Sequence, residues 1–290
     1  MKKICRLVML VVALVLVSCG TTSTVPITGR KQHLLVSDQQ VLSLSNQQYQ
    51  QYMQTAKPSV NASQTAMVKR VGERLAAAVV SYLNQHGLGS EVSQYKWEFN
   101  LVQDKNVNAF CMPGGKIVVY EGLLPVTRDE ASLAIVLGHE IAHAVAKHSA
   151  ERMSNAVRQQ YGGQILGTVL SGAGASAGWQ QLGSTVFGLG SSIGSAAYSR
   201  SQESEADHLG LIFAAMAGYD PQVAVSFWQR MAQSTGNGSA SLFSDHPSDA
   251  TRISNIKKWM PEALKYYNGN SISPKGTKSQ PVTTKTIHIS

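Results

Sequence analysis

Apolar residues recur every three or four positions over most of this chain, a spacing that is typical of amphipathic helices. One segment, DEASLAIVLGHEIAHAVAKH at residues 129–148, is apolar on almost every side and predicts a buried central helix. Elsewhere the spacing predicts helices over residues 37–56, 61–84, 198–218 and 221–235, and a last helix that follows residues 245–247 and reaches about 259 or beyond. The chain is therefore expected to be mostly helical.

Strands are predicted between residues 97 and 120, where the period of the pattern changes to two. Residues 97–102 alternate large apolar with polar side chains, and two short apolar runs, 108–112 and 116–120, flank the turn sequence Pro-Gly-Gly at 113–115. These features predict a small antiparallel meander or hairpin. The expected fold class is α+β, with a small antiparallel sheet beside the central helix.

The glycine-rich segment 157–197 fits neither pattern. It has no charged residue between Arg158 and Arg200, and glycine, serine and glutamine interrupt each apolar run. A membrane-associated hairpin, a mobile lid over a site and closely packed helices are three alternatives. No window sustains the hydrophobicity that a spanning helix needs, which favours a lid or packed helices.

The N-terminus predicts a targeting segment. It carries three bases and no acid, and residues 7–17 form an apolar run that is too short to span a membrane comfortably. The sequence Leu-Val-Ser-Cys at 16–19 resembles the lipobox of bacterial lipoproteins, which implies a signal peptide over 1–18 and lipid on Cys19. An ordinary signal peptide cut elsewhere is the alternative. The resemblance also implies a lipid-anchored tether over 19–36 and a place in the bacterial cell envelope, facing the periplasm, with the outer membrane favoured over the inner.

Composition narrows the possible partners. Hydrophobic residues make up 43% of the chain and charged residues 14%, which is typical of a globular protein. Loss of residues 1–18 would remove three bases and lower the formal net charge from +8 to +5. That excess is modest and spread out, so nucleic acid is not an expected partner. The main domain is predicted over residues 37–268, and the Ser/Thr/Lys/Pro-rich tail 269–290 is predicted to be disordered.

Cysteine usage limits the chemistry further. Of the three cysteines, Cys5 lies in the predicted signal and Cys19 is the predicted lipid site, so Cys111 has no cysteine left for an intramolecular disulfide. A zinc site of four cysteines is excluded as well. Any metal must therefore be bound by histidines and carboxylates.

The central helix contains the pattern H-E-x-x-H at His139, Glu140 and His143. Four residues advance a helix by little more than one turn, so the two histidines project from one face, where neutral imidazoles can bind one zinc ion. Glu140 lies beside the open coordination position and can take a proton from bound water. Two incidental histidines are the alternative, but the apolar surroundings predict burial, and buried His and Glu need partners such as a metal.

A catalytic zinc site needs a third protein ligand, which should come from a separate element. Glu203 and Asp207 are four residues apart on one face of a later predicted helix. One carboxylate could bind zinc while the other accepts the ring N–H of a ligand histidine. A solvated acidic face formed by Glu203, Glu205 and Asp207 is the alternative, and spacing alone leaves both open.

Several motifs together resemble one family. HEIAH at 139–143 followed by SRSQESEAD at 199–207 resembles the HtpX-like and CAAX-prenyl-protease-like zinc metallopeptidases, which are gluzincins with the pattern H-E-x-x-H…E-x-x-x-D. The tripeptide Asn108-Ala109-Phe110 resembles the family's edge strand along the active-site cleft, and DHPSDATR at 245–252 resembles its downstream H-P-x(4)-R element. Integral-membrane members have several spanning helices that the pattern of this chain does not show. The resemblance is therefore to the secreted and lipoprotein branch, which includes periplasmic protease-chaperones.

This resemblance implies a zincin-like metalloprotease domain that binds one zinc ion. It implies that the ligands are His139, His143 and Glu203. It also implies that Glu140 is the general base and that Asp207 is the hydrogen-bond partner of a ligand histidine.

Further roles are implied for the C-terminal helix and the edge strand. His246 and Arg252 are expected to approach the site, where either could bind the oxyanion of the tetrahedral intermediate, or His246 could occupy the open position of zinc in a latent state. The alternatives are a His246 without a metal role and an Arg252 in a surface salt bridge with Asp249. The tripeptide Asn108-Ala109-Phe110 would bind substrate backbone by strand addition, unless it is an ordinary edge strand. His148 is expected to be a charge at the C-terminus of the central helix rather than a ligand.

The expected function is a zinc-dependent metalloendopeptidase that cleaves unfolded or misassembled envelope proteins. Its expected partners are polypeptide substrates, the membrane through lipid on Cys19, and envelope assembly machinery. A chaperone or assembly factor with a latent or structural zinc site is the alternative, and the intact Glu140 argues against it, since a structural site needs no base. A hydrolase of peptidoglycan or small peptides is a third alternative, which strand addition disfavours.

Overall fold

A computed structural model describes residues 21–161, 182–183, 186–187, 198–234 and 251–267. The described part is mostly helical with two small sheets, which confirms the predicted α+β class. Outside these ranges lie the predicted lipid site Cys19, His246, most of the glycine-rich segment and the tail 269–290. Within them, no helix has both the length and the apolar character that a membrane crossing requires.

Every helix that the apolar spacing predicts is present among the described residues. The helices are α1 (Asp38–Thr55), α2 (Ala62–Gln85), α3 (Gly89–Val92), α4 (Leu124–Thr127), α5 (Glu130–Val145), α6 (His148–Tyr161), α7 (Arg200–Met216), α8 (Val223–Ser234) and α9 (Thr251–Tyr267). The strands are β1 (Thr21–Thr24), β2 (Lys31–Leu34), β3 (Glu98–Val102), β4 (Ala109–Met112) and β5 (Lys116–Tyr120). The spacing does not predict α6 as a separate helix.

Helix α5 lies at the centre of the fold, and every residue from Ser132 to Val145 is buried. It packs against α2, α7 and β4. Asp129 caps its first turn, where the carboxylate accepts a hydrogen bond from the backbone N–H of Ser132 at 2.7 Å. A helix that is buried on all sides is what its nearly continuous apolar sequence predicts.

Helices α5 and α7 cross with their backbones in direct contact. A Cβ atom on Gly138 would lie 2.6 Å from the carbonyl oxygen of Gly210, and one on Gly210 would lie 2.6 Å from the backbone nitrogen of His139. Only glycine fits on both sides of this crossing, because the obstructing atoms belong to the backbone and cannot turn away. The crossing brings the face of α5 that carries His139 onto the face of α7 that carries Glu203 and Asp207.

The chain turns sharply between α5 and α6. Ala146 closes the last turn of α5 by donating its N–H to the carbonyl of Ala142, and Lys147 then has a φ of 54°, in the left-handed region. His148 therefore begins the next helix and is fully buried. The prediction that His148 is a charge at the end of the central helix is wrong, because burial lowers its pKa and favours the neutral ring.

The central sheet is mixed and not antiparallel as predicted. Its strand order is β3-β5-β4: β4 pairs antiparallel with β5 across the turn at 113–115, while β3 pairs parallel with β5 on the other side. The alternation along residues 97–102 specifies which side chains are buried, but not which strand lies alongside or in which direction. Strand β4 is an edge of this sheet, and it packs against α5.

Strands β1 and β2 form an antiparallel hairpin, so part of the segment predicted as a tether is structured. Val25 in its turn is buried in the main core, and the side-chain amide of Gln32 donates to the carbonyl of Ala146 at 2.8 Å. The N-terminal hairpin (residues 21–34) thereby packs against α6 and the end of α5. The other domain boundaries stay predictions.

Gly210→Ala is expected to lower the free energy of unfolding by about 1–3 kcal/mol, because the new methyl group overlaps backbone atoms of α5. Urea denaturation followed by circular dichroism measures the change. Gly89→Ala is a matched control, since the nearest atom there is the side-chain oxygen of Asn84 at 2.9 Å, which can rotate away. Equal stability of the two variants would show that α5 and α7 can separate at no cost.

Candidate metal centre

Three side chains from two helices bring their donor atoms together in the core. His139 and His143 come from successive turns of α5, and Glu203 comes from the first turn of α7. The Nε2 atoms of the two histidines are 3.1 Å apart, and oxygens of Glu203 lie 3.5 Å from Nε2 of His139 and 3.4 Å from that of His143. All three residues are buried. The structure thus brings together the three residues that the sequence predicts as metal ligands.

This arrangement fits a metal ion. Zinc binds imidazole nitrogen at about 2.0–2.1 Å in tetrahedral sites, which places neighbouring ligand atoms about 3.3 Å apart. The separations of 3.1, 3.4 and 3.5 Å agree with that spacing. Two ring nitrogens this close also need a cation, either a proton or a metal, between them, since their lone pairs would otherwise face each other. Two imidazoles and a carboxylate are a donor set that zinc takes in peptidases.

Asp207 orients His139. Its carboxylate lies 2.8 Å from Nδ1 of His139, so this nitrogen donates its hydrogen and Nε2 faces the other two donors. Burial opposes a charged ring, but the hydrogen bonds with Asp207 and Glu203 outweigh it and raise the pKa of His139 to about 9. A metal cation at Nε2 therefore competes with a proton. The contact between Asp207 and a histidine of the donor set is the one that the sequence predicts.

Arg252 forms ion pairs with two carboxylates of α7, those of Glu203 and Asp207. Its Nε donates to Asp207 at 2.6 Å, and one terminal nitrogen donates to Asp207 at 3.0 Å and to Glu203 at 3.1 Å. The guanidinium is buried and stacks 3.8 Å above the ring centroid of Trp228, so it is not a surface salt bridge. Burial would raise the pKa of Asp207, but the charge of Arg252 and the bond with His139 outweigh it and hold that pKa below its ordinary value. The oxyanion role of Arg252 stays a prediction.

His143 has a different set of neighbours. Its Nδ1 lies 2.8 Å from Nδ1 of His148, and its ring stacks on that of Tyr198 with 3.9 Å between centroids. Nε2 of His148 lies 2.9 Å from a carboxylate oxygen of Glu205. Burial lowers the pKa of His143, which favours the neutral ring that a metal requires.

No periodic signal in the sequence marks several residues of this site. The acidic cluster around Glu203 points to Glu205, but spacing cannot say what Glu205 contacts. His148 is five residues after the nearest ligand and so does not share its helical face. Tyr198 and Trp228 reach the site from other segments, and only tertiary packing places them there.

Glu140 is a buried carboxylate on α5, the helix that packs against the edge strand β4. It is only 2% exposed. Burial raises the pKa of Cys111 in β4, and the charge of Glu140 raises it further, which places this carboxylate within electrostatic reach of the strand. Asn108 at the start of the strand is buried, and its side-chain oxygen accepts a hydrogen bond from the backbone of Ala109 at 2.8 Å. His246, predicted to approach the same site, lies outside the described residues.

Comparison with known proteins places this site within a family. Residues 62–260 match the model of peptidase family M48. The chain belongs to peptidase family M48. The matched stretch contains His139, Glu140, His143 and Glu203, so the prediction of a metallopeptidase family from HEIAH and SRSQESEAD is confirmed at the level of M48. The finer prediction of a secreted or lipoprotein branch is not confirmed, because the relatives of the chain include mitochondrial OMA1 proteins.

Curated relatives of this M48 chain match it over part of their length. It is 39% identical to mitochondrial metalloendopeptidase OMA1 of Schizosaccharomyces pombe over 177 residues, which are 60% of this chain and 50% of that protein. It is 30% identical to mitochondrial metalloendopeptidase OMA1 of Saccharomyces cerevisiae over 260 residues, 87% of this chain and 72% of that protein. A beta-barrel assembly-enhancing protease of Yersinia pestis is 31% identical over 166 residues, 56% of this chain and 34% of that protein. The chain thus spans about half the length of the first of these relatives and about a third of the last.

The relatives contradict the predicted location in the bacterial cell envelope. The OMA1 proteins among them come from fungi, animals and a plant, and are named as mitochondrial. A basic segment without acids is common to targeting sequences of different compartments, so the pattern of residues 1–18 could not decide the membrane. The prediction of an outer-membrane lipoprotein was wrong for this reason.

In the M48 chain, His139→Ala and Glu203→Ala are each expected to lose the metal, because each removes one of three converging donors. Zinc content measured by mass spectrometry should fall from about one ion per chain to a small fraction of that. His208→Ala is the matched control: this histidine also lies on α7, but its ring contacts Glu262 on α9 at 2.7 Å. Full zinc occupancy in the Glu203 variant would place the third ligand elsewhere.

Proposed function

We propose that this chain is a zinc-dependent metalloendopeptidase that cleaves extended polypeptide. The observation that carries the proposal is the convergence of His139, His143 and Glu203 beside a buried carboxylate, Glu140, on the same helix. Membership of family M48 supports it, as do the names of the OMA1 relatives, which are metalloendopeptidases.

The site's own residues divide the work of peptide hydrolysis. His139, His143 and Glu203 would hold the zinc ion, which when bound polarises the scissile carbonyl and lowers the pKa of a water molecule. Glu140 accepts a proton from the attacking water and later donates it to the leaving amine. Asp207 keeps the hydrogen of His139 on Nδ1, so that the lone pair of Nε2 is available to bind the metal.

The edge position of strand β4 is the observation that favours an extended polypeptide as the substrate. Among the described residues it pairs with one strand only, β5. The N–H of Tyr120 donates to the carbonyl of Asn108 at 3.0 Å, so by the alternation of an antiparallel pair the carbonyl of Ala109 and the backbone groups of Cys111 point away from β5. An extended peptide added to this edge would lie near Glu140. It would be bound through its main chain, with little demand on its sequence.

Glu140→Gln is expected to reduce kcat/KM for unfolded casein by at least about 100-fold, because an amide cannot accept the proton of water. Zinc content should stay unchanged, since Glu140 is not one of the three metal ligands. Glu130→Gln is the matched control on the same helix: Glu130 pairs with Arg70 near the surface, and its loss should leave cleavage intact. Full activity of the Glu140 variant would contradict the proposal.

The same assay separates the alternative functions. Chelation of the metal should stop cleavage of casein, and added zinc should restore it. A chain that prevents aggregation of unfolded casein without cleaving it would be a chaperone. Cleavage of muropeptides but not of casein would indicate a peptidoglycan hydrolase.

A series of peptide substrates, each with one N-methylated amide, tests strand addition. We expect kcat/KM to fall at every second position of the peptide, because only alternate N–H groups of an added strand face β4. The loss should be about 10-fold for each hydrogen bond removed. Equal sensitivity at neighbouring positions would argue that the substrate is not bound as a strand.

A further inference from the structure

The two histidines of the donor set are held in different ways. A carboxylate, that of Asp207, contacts Nδ1 of His139 directly at 2.8 Å, whereas Nδ1 of His143 contacts a second imidazole, that of His148, at 2.8 Å. On the His143 side, the carboxylate contacts the second imidazole instead of the ligand itself: Nε2 of His148 lies 2.9 Å from Glu205. His143, His148 and Glu205 thus form a continuous histidine chain that leads outward from the metal position.

The direction of each hydrogen bond in the histidine chain follows from its two ends. An ionised Glu205 only accepts, so Nε2 of His148 carries the hydrogen, and Nδ1 of the same neutral ring is an acceptor. Nδ1 of His143 must therefore donate, which leaves its Nε2 with a lone pair. That lone pair faces His139 and Glu203, where the metal would bind.

The N-terminal hairpin holds the outer end of the histidine chain. Glu205 accepts hydrogen bonds from Nε of Arg30 at 2.8 Å and from the hydroxyl of Thr28 at 2.5 Å. The terminal nitrogens of Arg30 donate to the two carboxylate oxygens of Glu151 at 2.7 and 3.0 Å. Arg30 therefore bridges α7, which carries Glu205, and α6, which carries Glu151 and His148.

Stability alone does not explain these side chains. His148 is fully buried and Glu205 is 7% exposed. Burying an imidazole and a carboxylate is unfavourable compared with packing apolar side chains of similar volume in the same space. Their presence in the core therefore needs a functional reason.

We propose that His148 and Glu205 are positioning residues for the metal ligand His143, and that Arg30 connects the N-terminal hairpin to the metal site through them. The inference rests on the proposed function, since it assigns these residues to the metal site of the peptidase. The histidine chain fixes both the ring rotation of His143 and the nitrogen that carries its hydrogen, so that Nε2 is preorganised for the metal. Glu205 and Arg30, which are far from the H-E-x-x-H motif in sequence, would thus help to orient one of its histidines.

Three substitutions of His148 in the full chain test the proposal. Asparagine places a polar atom near the position of Nδ1 and can still accept the hydrogen bond from His143. Glutamine places one near Nε2 and keeps only the contact with Glu205, while phenylalanine keeps the ring and neither contact. Cobalt(II) is the probe, because its visible spectrum reports the ligand geometry and competition with a chelator measures its affinity.

His148→Gln and His148→Phe are expected to weaken cobalt binding by about 10- to 100-fold and to change the visible spectrum, as loss of a ligand's hydrogen-bond partner does. His148→Asn should restore part of both, because it can accept the hydrogen bond from His143 but loses the contact with Glu205. Wild-type affinity and spectrum in the glutamine and phenylalanine variants would overturn the proposal. If the phenylalanine variant does not fold, the glutamine variant decides by itself.

Arg30→Gln tests the connection to the N-terminal hairpin. It should weaken cobalt binding in the same direction by a smaller factor, because Glu205 then keeps Thr28 and His148 as donors. Arg70→Gln, which removes an exposed ion pair with Glu130, is the matched control and should leave cobalt binding unchanged. Unchanged binding in Arg30→Gln would overturn the part of the proposal that concerns the hairpin.

The wild-type chain distinguishes this inference from the proposed function. If it binds no cobalt and cleaves no casein, the proposed function fails. If it does both, and the glutamine and phenylalanine variants at His148 bind cobalt as the wild type does, only the role of the histidine chain is contradicted.

Discussion

The site depends on the close crossing of α5 and α7. Glycine at 138 and 210 lets the two backbones touch, and a Cβ on either would collide with the other helix. His139 follows Gly138 directly, and Glu203 lies two helical turns before Gly210 on the same face of α7. The separation between histidine nitrogens and carboxylate oxygens is therefore set by backbone contact rather than by flexible side chains.

This crossing concentrates charge where water is excluded. Burial alone would favour a neutral carboxyl group at Asp207, and the charge of Arg252 offsets that tendency and holds the pKa of Asp207 below its ordinary value. Arg252 also donates to the buried carboxylate of Glu203. A buried ionic cluster of this kind contributes less to stability than apolar packing of the same volume. Its presence is explained by function, because a metal needs a charged donor and oriented imidazoles.

Part of the site could be predicted because it lies within one helix. The spacing of His139 and His143 follows from the helical repeat alone. Glu203 was harder, since its spacing to Asp207 fits a ligand pair and a solvated face equally well, and only the resemblance to a family favoured the ligand. The cellular compartment could not be predicted from the charge and hydropathy of residues 1–18, because targeting sequences for different compartments share these properties.

By itself, the sequence determined most of the long helices, including the buried central helix, and which two of its histidines share a face, because these depend on periodicity within one segment. The tertiary structure decided the parallel pairing of β3, the start of a new helix at His148 and the contact of Glu205 with Arg30. Each of these joins buried faces from different segments, and a local pattern carries no information on which faces meet. Lys147 shows the reason most directly: one left-handed residue between two packed helices turns the chain so that His148 lies in the core.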